Sequence, residues 1–170
     1  MTQLVFDIET DGLLGEMTKI HCLAINDLET NQTITYNDEG NTEPIVRGIQ
    51  RLEDASCILG HGIINFDLPA IRTIYPWFSQ PSLCVDTLLL SNLLHTDLIA
   101  VDKIRKWPGL PLRLYGRHSL EAYGYRLNCR KGDYGKTSDW KHWSQEMEDY
   151  CKQDVAVTRK LVEHFIPKLK

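Results

Sequence analysis

The sequence has no apolar run approaching the ~20 residues needed to cross a bilayer. Its opening residues, MTQLVFDIETDGL, lack the basic start and small-residue cleavage site of a secretory signal. A cytoplasmic protein is expected, with no membrane among its partners. Cysteine is sparse: Cys22, Cys57, Cys84, Cys129 and Cys151 are odd in number, widely spaced and without a C-x-x-C. That spacing argues against a disulfide framework or a zinc knuckle and leaves reduced, mostly buried thiols. Internal repeats and low-complexity tracts are missing as well. What is present, 170 residues with 42% hydrophobic and 25% charged content, suffices for a continuous apolar core. One domain spanning 1–170 is expected.

The net charge of −4 joins two unlike regions. Residues 103–136 hold nine Lys and Arg against only Glu121 and Asp133, whereas the rest of the chain holds ten basic and twenty-one acidic residues. A basic segment beside an acid-rich body suits a polyanion gripped on one side and metal ions held on the other.

Leu4, Phe6 and Ile8 alternate with Val5, Asp7 and Glu9, which predicts a strand ending at the Asp11-Gly12 turn. Ile20 to Leu28 and Gln32 to Tyr36 read as two further strands joined across Glu29-Thr30-Asn31, an antiparallel meander. Pro44, followed by Ile45, Ile49 and Leu52, predicts an amphipathic helix to about Ala55. Cys57–Gly60 is a short buried strand, Asp67 opens a helix through Ile74, and Leu83–Val85 is a strand feeding Asp86, the N-cap of a helix over Thr87–Leu94. Ser119 caps a helix to about Leu127, and Ser144 caps one reaching Phe165 before Pro167 stops it. This order gives an α/β layer structure, a mixed sheet of three antiparallel and two parallel strands flanked by helices, as in a ribonuclease H-like core.

Residues two apart on a strand face the same way, so Asp7 and Glu9 project side by side from the end of the first strand. Two adjacent carboxylates repel unless a cation shares them, and hard oxygen ligands suit Mg²⁺ or Mn²⁺. Asp154 and Tyr150 are four apart in YCKQDVAVT and share one face of a helix. Each signal has a duller explanation: a solvated strand end, a hydrogen-bonded surface pair, and for Asp67 a helix N-cap.

Taken jointly, D-I-E on the first strand, N-F-D before a mid-chain helix and Y-x-x-x-D on the last long helix resemble the three motifs of DEDD exonucleases. Tyr150 stands four before Asp154 and Asp149 five before it, where the histidine subclass carries His, so the resemblance is to the tyrosine subclass. KIHCLAI (19–25), CVDTLLLSNLLH (84–95) and GRHSLEAYGYRL (116–127) extend it to the proofreading domain of T-seven-like podophage family A DNA polymerases, over nearly the whole chain. One departure stands in GHGIINFD, where Gly62 follows His61 and such enzymes usually carry Asn. A substrate or supporting contact is then missing. No polymerase palm or fingers follow Lys170, which leaves an excised domain or a freestanding exonuclease.

The resemblance implies cleavage of DNA from the 3′ end with release of 5′-nucleoside monophosphates, on single-stranded or unpaired ends. It implies two divalent ions, Mg²⁺ or Mn²⁺, with Asp7 bridging them, Glu9 and Asp154 completing the first and Asp67 helping the second. Tyr150 would orient the attacking water. Leu13 and Phe66 are candidates to wedge or stack against terminal bases, His61 to contact substrate, and Arg113 and Arg117 to track phosphates. His21, His95 and His118 are read as packing or hydrogen-bonding residues. Trp140 and Trp143 are read first as core, and as residues that could border the cleft. A separately encoded DNA polymerase is a candidate partner. Two rival readings stay open: an RNA exonuclease of the ribonuclease D-like kind, and a non-catalytic exonuclease-fold subunit docking on a polymerase.

Overall fold

The computed structural model describes residues 1–129 and 139–168. In chain order it forms β1 (Gln3–Thr10), β2 (Ile20–Asp27), β3 (Thr33–Asn37), α1 (Ile45–Glu53), β4 (Cys57–Gly60), α2 (Asp67–Ile74), β5 (Cys84–Asp86), α3 (Thr87–Leu94), α4 (Leu98–Arg105), α5 (Leu120–Arg126) and α6 (Gln145–Phe165). The sheet order is β3-β2-β1-β4-β5. β2 pairs antiparallel with β1 and β3, while β4 runs parallel to β1 and β5. The mixed sheet is the one the sequence led us to expect, and none of the helices among the described residues is long and apolar enough to cross a membrane.

β1 lies at the centre of the sheet, and both of its faces are covered. Leu4, Phe6 and Ile8 enter a core with Leu23, Ile25, Ile49, Leu52, Ile58 and Ile71, so α1 and α2 close that side. Val5 enters a second core with Ala24, Leu59, Met147, Cys151 and Val155, so α6 closes the other. Leu161 and Phe165, further along α6, pack with Leu98, Leu120 and Tyr123 of α4 and α5. Burial at roughly 25 cal/mol per Å² of apolar surface makes these two faces the main source of stability.

Helix starts follow their caps. Ser119 accepts from the Ala122 amide and Ser144 from the Met147 amide. Asp86 accepts the Leu88 amide at 2.9 Å and also the Gly62 and Ile64 amides at 2.8 and 3.1 Å. Asp67, by contrast, is not an N-cap: Phe66 holds that position and Asp67 is the first helical residue, turned toward the sheet.

Helix α4 was not legible from apolar period. Its fully buried member is Asp102, whose carboxylate accepts from Arg126 Nε and Nη2 at 2.9 and 2.7 Å, from Trp107 Nε1 and from the Gly116 amide, while Ile104 is exposed. A helix docked by a buried ion pair shows no hydrophobic stripe. The basic segment is therefore heterogeneous, since Arg126 is buried and paired. Arg130, Lys131, Asp133 and Lys136 lie outside the described residues.

Candidate active site

The end of β1 carries the acidic pair. Asp7 and Glu9 face α6, and ligand atoms of Asp7, Glu9 and Cys151 lie within 4.8 Å of one another. The Cys151 thiol donates to the Asp7 carbonyl at 3.3 Å and so fastens α6 to the strand. Burial first, then contact with Cys22 and the charges of Asp7 and Glu9, holds that thiol well above its usual range. It stays protonated, and the oxygen atoms are the anionic donors.

Asp154 is buried one helical turn beyond the half-buried Tyr150. Asp67 arrives from the opposite layer on α2 and accepts the Ile8 amide at 3.3 Å, between the two acids of β1. Its carboxyl is pushed up to about 7, chiefly by burial, although its hydrogen bonds pull it down; the charges of Asp86 and Asp154 raise it further. Such a group resists ionisation unless a cation comes close.

All five residues line one cleft of about 620 Å³, together with His61, Gly62, Phe66, Arg117, His118 and Trp140. Thr87 spends its only hydroxyl proton on the Gly60 carbonyl at 3.0 Å, so its oxygen accepts from His61 Nδ1 at 2.9 Å. That puts a proton on His61 Nδ1. Gly62 has φ +79°, in the left-handed region that suits glycine.

Leu13, 72% exposed, lies outside this cleft and lines a neighbouring pocket with Glu9, Phe66 and Trp140. Arg117 is an exposed cleft residue whose backbone carbonyl accepts from Arg126 Nη1 at 2.8 Å. Arg113 lines neither pocket and pairs with Glu121 at 2.6 Å. Two cleft neighbours, His118 and Cys151, were missed as site residues, whereas Trp140 borders the cleft as the sequence allowed. His118, read as a packing or hydrogen-bonding residue, makes such a bond, its Nδ1 meeting Ser91 Oγ at 2.5 Å, and also lines the cleft. Trp140 packs edge-on to Tyr150 with ring centroids 6.4 Å apart. Cys151 sits beside Tyr150 in sequence, and that adjacency was the one available signal.

The model of the RNase_H superfamily matches residues 4–166, from the second residue of β1 through the end of α6. The chain belongs to that superfamily. This RNase_H-superfamily chain is 31% identical to the DNA-directed DNA polymerases of Escherichia phage T7 and Enterobacteria phage T3, over 96% of its own length. It spans about a quarter, 26%, of the length of those relatives. The resemblance read from the sequence is thus shown. Among solved structures, Brucella melitensis NrnC aligns with TM-score 0.69 and 18% identity over 98% of this chain and 73% of that one. E. coli Exonuclease I in complex with a dT13 oligonucleotide aligns with TM-score 0.56 and 18% identity, over 99% and 42%. At such identities the likeness establishes the fold alone.

Proposed function

We propose that the chain is a 3′→5′ exonuclease of the DEDD type, tyrosine subclass, releasing 5′-nucleoside monophosphates from single-stranded or unpaired DNA ends. The observation that carries this reading is the convergence of Asp7 and Glu9, Asp67, and Asp154 with Tyr150, from three separate motifs, on one cleft. DNA is favoured over RNA as substrate by the 31% identity to phage DNA polymerases. Proofreading for a DNA polymerase is part of the same proposal.

The donor set fits divalent Mg²⁺ or Mn²⁺. Its carboxylates are hard ligands, the nearby thiol stays protonated, and Asp67 is held up to about 7 by burial and like charge, a state that a cation would relieve. Asp7, Glu9 and Asp154 would hold one ion, with Asp7 and Asp67 holding a second. Bound there, the ions would supply water activation and neutralise charge developing on the phosphate and the leaving oxygen.

The chain's own residues do the positioning. Tyr150, its ring braced by Trp140, holds the attacking water by hydrogen bonding; a phenol, titrating near 10 in water, is a poor base at neutral pH. Arg117, on the cleft wall, pairs with a strand phosphate. His61, on the cleft wall, contacts the substrate. Leu13, Phe66 and Trp140 form an apolar pocket beside Glu9 that takes the terminal base, with stacking contributing roughly 1–3 kcal/mol per base.

The test compares DNA and RNA strands of one sequence, each carrying a phosphorothioate at the 3′ or the 5′ terminal linkage, with Mg²⁺ present. The proposal expects release of mononucleotides from DNA, blocked by the 3′ modification alone. Faster digestion of RNA would overturn the substrate, digestion blocked from the 5′ end the polarity, and no digestion of either would favour a docking module.

A further inference from the structure

Away from the cleft, the ends of α3 and α6 come together. His95 caps α3, His164 lies in the last turn of α6, and Lys168 follows on the short 3₁₀ turn Ile166–Lys168. Lys168 Nζ lies 2.9 Å from His95 Nε2 and 2.9 Å from His164 Nε2. An ammonium can only donate, so both imidazoles turn a lone pair to the same point and carry their protons on Nδ1. The two Nε2 atoms are 3.2 Å apart, with the rings stacked at 5.4 Å.

That separation has a chemical meaning. Two imidazole nitrogens bound to one tetrahedral ion at about 2.0–2.1 Å stand about 3.3 Å apart. The lysine ammonium bridges the two lone pairs that such an ion would take. The carbonyl ends of two helices meet here, a setting that favours positive charge, and the Phe165 ring lies 5.9 Å from the ammonium.

We propose that His95 and His164 form a site for a borderline transition-metal ion, Zn²⁺, Ni²⁺ or Cu²⁺, in which the metal displaces Lys168 and clamps the end of α3 to the end of α6. Imidazole ligation selects these ions over Mg²⁺. The remaining coordination positions are taken by water. Burial, then Lys168, His164, His118 and Arg126, brings His95 down to about 4, and burial, Lys168 and Arg105 lower His164. The metal competes with the ammonium for the two lone pairs. The site is independent of the nuclease proposal and shares no residue with the cleft.

The experiment follows histidine ring nitrogens by NMR while Zn²⁺ is added to protein in excess Mg²⁺, so that the carboxylates of the cleft are satisfied. Nε2 of His95 and His164 should shift together and saturably, equally so in Asp7→Ala protein. His95→Ala, His95→Gln or His164→Ala should abolish the effect, with thermal melts in chelator showing that each variant is folded. Lys168→Met should move the midpoint to lower Zn²⁺. Absence of a joint shift, survival of the shift at one histidine after loss of the other, or weaker binding by Lys168→Met would overturn the site.

Discussion

Asp67 accepts the Ile8 amide over 3.3 Å, so a carboxylate from the second motif is fastened to β1 between Asp7 and Glu9. The bond joins residues fifty-nine apart and brings the layers on the two sides of the sheet to a single edge. It also places Asp67 where burial and the charges of Asp86 and Asp154 lift its carboxyl to about 7.

The first prediction follows from that lift. The folded value lies above the ordinary 3.8, so between about pH 4 and pH 7 the folded chain binds more protons than the unfolded one. In chelator, this group's contribution to stability is therefore greatest at the acid end and declines as pH rises through 7. A divalent ion needs the ionised form. The rise in melting temperature on adding Mn²⁺ should be larger at pH 8 than at pH 5.5; an equal rise at both would contradict the assignment.

A second prediction concerns Asp86, which gathers the Gly62, Ile64 and Leu88 amides. Asp86→Ala leaves three part-buried donors without their acceptor and should cost about 3 kcal/mol, since hydrogen bonds to a charged group are worth about 1.5–3 kcal/mol and do not add fully. Urea unfolding measures it. A loss under about 1 kcal/mol would show that the loop finds other acceptors.

Gly62 offers a third. At φ +79° most side chains are strained, but Asn tolerates the left-handed region, and an added Cβ would meet only Leu88 Cδ2 at 3.7 Å. Gly62→Asn should therefore fold at a cost of about 1 kcal/mol and lower KM for a single-stranded oligonucleotide by restoring a polar contact. An unchanged KM in a folded variant would mean that this position does not face the substrate.

Much of this arrangement was legible in the sequence, because the relevant signals are local. The D-x-E spacing on a strand, the helix Thr87–Leu94 with its Asp86 cap, and the four-residue step from Tyr150 to Asp154 follow from period and capping alone. α4 escaped because its buried anchor is the Asp102–Arg126 pair, which carries no apolar signature. His118 escaped as a cleft residue because its place depends on a contact across the fold, with Ser91. Reading Asp67 as a cap failed for the same reason: its partner, Ile8, belongs to another layer.

The basic residues divide in a fourth prediction. Arg117 lines the cleft, whereas Arg113 is held by Glu121. Each phosphate contact on a single strand contributes about −0.7 to the slope of log K against log salt. Arg117→Ala should flatten the slope by about that amount, and Arg113→Ala by less. Equal slopes for Arg117→Ala and the parent protein would remove Arg117 from the substrate path.

The most direct test of the central claim uses a 5′-labelled single-stranded oligonucleotide with Mg²⁺, Mn²⁺ or chelator, comparing the parent chain with Asp7→Ala and Tyr150→Phe. The account predicts a metal-dependent ladder shortening from the 3′ end, absent in Asp7→Ala and slowed about 10²-fold or less in Tyr150→Phe, where only orientation is lost. A ladder that persists in chelator, or a Tyr150→Phe protein as inactive as Asp7→Ala with both folded, would contradict it.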